Sequence, residues 1–190
     1  MPKFKYIMNK FAILIKWAIR FTFVAILWTY LEKVLGYHTE KINNLFSFGL
    51  IFGVVYLITY YLTLAEVYAK VYHHKIGYKS AFMNLAVLTI IIAFLSPLPH
   101  MVMHNYVSPD FFDNAIAMHQ NKSPEYLENA KKHFTLTSYV FNGIQNTLSI
   151  GVLFSTIIPL FFINRKSPKQ QDDVKTNKKL KRKYQSTKKI

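Results

Sequence analysis

The sequence predicts an all-α membrane bundle of four transmembrane helices, with a partly helical loop on the outer side and a basic tail on the inner side. Two observations carry this expectation. First, residues 42–65, 80–109 and 133–164 contain no Asp, Glu, Lys or Arg, in runs of 24, 30 and 32 residues, and about 20 predominantly apolar residues suffice to cross about 30 Å of hydrocarbon. Second, strings such as LFSFGLIFGVVYLITYYLTLA show no polar stripe at the helical period, which excludes a buried helix of a soluble protein. Mean hydropathy is only +0.14 because polar residues are segregated into blocks between the apolar ones.

The first span is placed at residues 17–35. A start at Phe11 would put Lys16 and Arg20 in mid-bilayer, at a cost of about 2.5–3.5 kcal/mol each. A start near Trp17 lets both side chains snorkel to the interface, with Glu32 and Lys33 near the opposite surface. The apolar part ends in Trp28-Thr29-Tyr30-Leu31-Glu32 without a small-residue cleavage site, so an uncleaved helix is expected rather than a signal peptide. The other spans are placed at residues 45–65, 81–98 and 138–163. Residues 1–166 thus form one membrane domain, and residues 167–190 a basic tail expected to be disordered.

Charge sets the orientation. Nineteen of the 24 Lys and Arg fall on the side of the two termini and the second loop, and five on the other side. The positive-inside rule therefore places both termini in the cytoplasm, and a bacterial inner membrane is the expected location. The net charge of +15 is uneven: residues 164–190 carry 11 Lys or Arg and 2 Asp. Only Tyr184 interrupts the string NKKLKRKYQSTKK, so base stacking is poorly provided for and nucleic acid is not the expected partner. Lys178, Lys179, Lys181, Arg182 and Lys183 are instead candidates for contact with anionic lipid headgroups, besides fixing topology. The absence of Cys excludes disulfides, thiolate metal sites and Cys nucleophiles.

The outer loop, residues 99–137, is long for a structureless connection. Ser108-Pro109-Asp110-Phe111 and Ser123-Pro124-Glu125-Tyr126 each offer a Ser N-cap, a Pro at the first helical position and an acid favoured by the helix dipole. One or two short amphipathic helices are expected there, on the membrane surface or capping the bundle, with Glu128 and Lys132 as an i,i+4 pair.

The segment HKIGYKSAFMNLAVLTI (residues 74–90) resembles the loop-into-third-helix signature of the bacterial domain-of-unknown-function family 4199. SPDFFDNAIAMHQ resembles that family's extracytoplasmic loop, and GVLFSTIIPLFFINRK (residues 151–166) is similar to its last helix. The resemblance covers roughly residues 10–166. It implies a small four-span membrane protein of unknown activity and supplies no catalytic residues.

Small residues mark candidate helix-packing faces. Gly49 and Gly53 form a small-xxx-small pair in the second span, and Thr147, Gly151 and Ser155 repeat every fourth residue in the last. They serve packing within the chain or a homo-oligomer face, and Pro159 is expected to bend the last span near its inner end. Asn142, Gln145, Asn146 and Ser149 share a helical face, and Asn84 lies near the inner end of the third span. These amides should hydrogen-bond to neighbouring helices or line a polar pathway. Glu66, with Lys70 one turn on, is expected as a surface ion pair.

PHMVMHNY is the most chemically suggestive string. His100 and His104 stand at i,i+4 spacing with Met101 and Met103 between them, donors suited to Cu(I), but Pro97 and Pro99 argue for a helix break beside them and no carboxylate or Cys completes the set. Solvated histidines are the expectation, as for the adjacent His73 and His74. No phosphate loop, zinc-protease motif or nucleophile elbow is present. The chain is therefore expected to be non-enzymatic and without a cofactor: a scaffold, accessory or envelope component with a membrane partner or a second copy. The alternatives are an oligomeric transporter or channel subunit and a metal-handling protein using the His/Met loop.

Overall fold

The computed structural model describes residues 2–163, and side chains within residues 7–163. Lys178, Lys179, Lys181, Arg182 and Lys183 lie outside the described residues. Among the described residues all regular structure is helical, and four helical segments are long and apolar enough to cross a membrane: Ile7–Val34, Ile42–Lys70, Tyr78–Val107 and Leu136–Phe161. The chain is a multi-pass membrane protein.

Helix α1 (Pro2–Val34) ends in a Schellman motif. Gly36 takes φ +83°, its N–H reaches the Lys33 carbonyl at 3.0 Å, and the N–H of Tyr37 reaches the Glu32 carbonyl at 2.9 Å. This reversal carries His38 back beside Glu32. The second span is a chain of short pieces before it becomes regular: a 3-10 turn at Ile42–Asn44, α2 (Leu45–Gly49), a 3-10 turn at Leu50–Phe52, then α3 (Gly53–Lys70). His73 and His74 follow in left-handed backbone, so they sit in a turn and not on a helix, with the His74 ring edge-on to Tyr68.

The third span comprises α4 (Tyr78–Leu95), α5 (Pro97–Val102) and a π-helical turn at Met103–Val107. Helix thus continues well past residue 98, where the sequence suggested a loop. Both prolines fall in the first turn of α5, where a missing N–H breaks no helical bond. Two short helices cross the bundle end: α6 (Phe111–Ala117) and α7 (Pro124–His133). α7 begins at its Ser-Pro-Glu and carries the Glu128–Lys132 pair at 2.7 Å. α6 starts later than its Ser-Pro-Asp suggested, with Asp110 at the N-cap position, because buried Ser108 still closes the preceding π-turn through its N–H on the Met103 carbonyl. The last span, α8 (Leu136–Ile157), gives way to a 3-10 turn at Ile158–Phe161 that contains Pro159.

α4 is central, packed against both α1 and α8. The core of the half that carries the termini is made of fully buried Leu14, Tyr60, Leu64, Leu85, Leu88 and Ile158. Large apolar side chains such as Phe46, Leu50, Ile90 and Phe94 point outward, as lipid-facing residues do.

Thr147, Gly151 and Ser155 of α8 form one close-packed seam. A Cβ on Gly151 would run into the Thr89 side chain and the Tyr60 hydroxyl. Thr89 Oγ1 donates to the Leu85 carbonyl at 2.9 Å, so the Tyr60 hydroxyl donates to Thr89 at 2.7 Å, with Ser155 Oγ 3.4 Å from Thr89 Oγ1. Farther along, the Tyr56 and Thr147 hydroxyls meet at 3.0 Å. The other small-residue pair behaves differently: a Cβ on Gly49 or Gly53 would meet nothing within 4 Å. There is thus room for a side chain at both positions, and neither glycine marks a close helix approach among the described residues.

A second tie joins α1 to α3. Lys16 Nζ lies 2.5 and 2.6 Å from the two Glu66 carboxylate oxygens, Trp17 Nε1 donates to Glu66 at 2.7 Å, and Lys70 Nζ lies at 2.9 Å. Glu66 is only 14% exposed, so it is an interhelical clamp and not the surface pair that the sequence suggested. Lys16 does not simply snorkel; its charge is met by Glu66, while the Arg20 guanidinium stacks 4.9 Å from the Trp17 ring centroid.

Two outcomes test this packing. Gly151→Ala should lower stability by about 1–3 kcal/mol through overpacking, whereas Gly53→Ala should stay within about 0.5 kcal/mol, measured by unfolding in mixed detergent micelles. Glu66→Gln and Lys16→Met should each cost about 1–3 kcal/mol. The double variant should cost clearly less than their sum, as a double-mutant cycle reads directly.

Candidate functional site

Hydroxyl pairs, the Gly151 contact and the clamp close the half of the bundle that carries the termini. The opposite half is held apart by aromatic rings. Phe21 lies edge-on to Tyr56 at 4.5 Å, Trp28 stacks on Phe48 at 4.9 Å, and Phe111, Phe112 and Tyr139 form a mutual edge-on cluster at 5.2–5.5 Å. Between them lies a cavity of about 450 Å³, walled by α1, the start of the second span, α5, α6 and α8. α6 lies across its end, with Phe111 fully buried and Phe112 nearly so.

The polar groups in this wall are few. Glu32, one turn before the end of α1, accepts a hydrogen bond from Trp28 Nε1 at 2.9 Å and is 15% exposed. The i,i+4 spacing of Trp28 and Glu32 puts both side chains on the face of α1 that looks into the bundle. No Lys or Arg pairs with Glu32 among the described residues; an imidazole stands beside it instead, that of His38, whose Nε2 lies 3.5 Å from Glu32 Oε2.

His38 is 1% exposed, and neither ring nitrogen has a hydrogen-bond partner among the described residues. Its ring lies 4.9 Å from Phe111, and the His38 carbonyl accepts from Asn114 Nδ2 at 3.3 Å. The imidazole is therefore held by packing, by backbone contacts and by its approach to Glu32. Buried polar atoms without partners are uncommon enough to mark a site for attention.

His100 of α5 forms the opposite wall. It lies against bare Gly143 of α8, where a Cβ would collide with the imidazole, and its ring is edge-on to Tyr139 at 6.1 Å. His104, by contrast, turns to Phe112 at 5.3 Å. The two histidines with metal-ligand spacing thus face different neighbours, and among the described residues no group of three His, Asp or Glu side chains is arranged around one point. The π-helical turn that begins at Met103 rotates His104 away from His100.

His100, Tyr139, Gly143 and Asn146 also border a second hollow of about 610 Å³ toward α6 and α7, which His119 and His133 line. Of the amide face of α8, Asn142 and Asn146 reach these hollows. Asn84 sits elsewhere, at the start of α4, where it donates to the Ser80 carbonyl at 2.6 Å and the Tyr72 hydroxyl at 3.2 Å.

Sequence reasoning singled out His100 and the α8 amides but passed over Glu32, His38, Trp28 and Tyr139. Glu32 and His38 read as ordinary interface and loop residues because they are local in sequence. The signal that could have found them is the Trp28–Glu32 spacing followed by Gly36, which folds the loop back onto the end of α1.

No curated protein and no solved structure matches the chain. A family model does: residues 16–164 match the family described as protein of unknown function (DUF4199). The chain belongs to that family.

Proposed function

We propose that the chain is a non-enzymatic accessory protein of the membrane whose working part is the cavity at the loop end, where it holds a small molecule. The observation that carries this is the character of that cavity. At about 450 Å³ it falls in the size range of small-molecule sites, and its wall is mostly aromatic and aliphatic with a few polar groups, Glu32, His38, His100 and Asn146.

The fully buried layer of Tyr60, Leu64, Leu85, Leu88 and Ile158 between the cavity and the termini weighs against a continuous pore through one copy. The divergence of His100 and His104 weighs against a metal carrier. In the orientation proposed from charge, the termini face the cytoplasm of a bacterial inner membrane and the cavity opens toward the other side. The basic tail then lies against anionic lipids.

A plug tests the proposal. Ala25 lines the cavity from α1, and Ala25→Phe should fill part of it. A panel of small neutral, cationic and anionic aromatics is screened by thermal unfolding of the detergent-purified chain. At least one compound should raise Tm, since a ligand at 100 times its Kd stabilises by about 2.7 kcal/mol. The shift should vanish in Ala25→Phe. No shift from any compound, or shifts that survive the plug, would contradict the proposal.

A further inference from the structure

The chemistry of the cavity wall narrows the class of ligand, given that the cavity is a binding site at all. Glu32 is a largely buried carboxylate that no Lys or Arg neutralises among the described residues, and Trp28 Nε1 satisfies only one of its oxygens directly. Elsewhere in the chain the contrast is plain: Glu66, equally buried, gathers Lys16, Lys70 and the Trp17 indole. A buried carboxylate without a counter-charge is expensive unless something cationic joins it. The second oxygen of Glu32 is turned toward the buried His38 ring, 3.5 Å away, whose nitrogens make no hydrogen bond among the described residues.

We propose that the cavity takes an organic ammonium group, with Glu32 as its counter-charge and the aromatic wall around it. Each element suits this ligand for a separate reason. An ammonium carries several N–H donors and no acceptor, so it complements a carboxylate that has no Lys or Arg beside it. Trp28, Phe52, Tyr56, Phe111 and Tyr139 line the same space, and the negative faces of such rings attract a desolvated cation. An anion would meet Glu32 across a low-dielectric cavity, and a neutral alcohol would leave the carboxylate charge uncompensated. The ammonium could be supplied by a free amine or by the ethanolamine headgroup of a phospholipid, because the exposed Phe46 and Leu50 at the cavity wall adjoin the lipid-facing surface.

The test uses the full chain in detergent with isothermal titration of phenethylamine, its neutral analogue 2-phenylethanol and its anionic analogue phenylacetate. A short-chain phosphatidylethanolamine and its N-acetylated form make a second pair. The amine of at least one pair should bind about tenfold or more tightly than its uncharged counterpart, and Glu32→Gln should erase that preference to within about twofold while leaving 2-phenylethanol unaffected. Preference within the first pair alone identifies a free amine as the source, and within the second a lipid headgroup. Equal binding of charged and uncharged members, or a preference that survives Glu32→Gln, overturns the proposal while leaving the cavity a binding site. Failure of these probes and of the whole Tm panel overturns both.

Gln preserves the acceptor for Trp28, so the ligand-free Tm of Glu32→Gln gives a second reading. A Tm at or above that of the unmodified chain is expected if Glu32 awaits a cation. A clear fall would mean that Glu32 and His38 already form a structural ion pair, and would overturn the ammonium assignment.

Discussion

Everything in this bundle hangs on how closely α8 can approach α3 and α4. In lipid no hydrophobic force drives helices together, so association rests on packing and interhelical hydrogen bonds. Gly151 supplies the missing side chain, and the hydroxyls of Tyr60, Thr89 and Ser155 fill the space around it. One turn toward the loop end, Thr147 takes the Tyr56 hydroxyl and the seam stops. Beyond it stand Phe52, Phe111, Trp28 and Tyr139, whose bulk holds the helices apart. The same spacing that closes one half therefore opens the other, and the cavity follows from that change in side-chain volume.

The Lys16–Glu66 clamp complements the seam at the end that carries the termini. It resolves the awkward feature of the first span, a lysine inside a long apolar helix, by meeting the charge with the Glu66 carboxylate of α3, which also accepts from the Trp17 indole N–H of α1. The two buried carboxylates, Glu66 and Glu32, thus lie near opposite ends of the bundle in opposite electrostatic circumstances. One is saturated with cations and serves stability. The other has an indole N–H and an imidazole 3.5 Å away, with no Lys or Arg beside it among the described residues.

Much of the architecture was legible in the sequence because lipid imposes a simple rule: long uncharged runs must be helices that satisfy their own backbone. The four spans follow from it, and the helices of the loop from their Ser-Pro-acid starts, whereas at Pro159 a bend was expected and α8 instead gives way to a 3-10 turn. What was not legible depended on side-chain direction. Pro97 and Pro99 suggested a break, yet both fit the first turn of a continuing helix, which moved the loop boundary, and the π-helical turn that follows it swung His104 away from His100. Gly49 and Gly53 have the same spacing signature as Gly151, and only the path of the second span leaves them facing open space. The cavity was hidden for a related reason. Glu32 and His38 gain their meaning from burial under α6, a helix about eighty residues away in sequence, and no local pattern reports that.

The central claim is that the bundle is sealed at one half and open to a ligand at the other. The chain contains no Cys, so single cysteines can be introduced without background. Asn146→Cys, at the cavity, and Ser155→Cys, in the seam, treated with a membrane-impermeant charged thiosulfonate, test the claim most directly. The account predicts rapid modification of Cys at 146 from the side opposite the termini, slowed when a cavity ligand is bound, and negligible modification at 155 from either side. Equal modification at both positions, or protection of both, would contradict it.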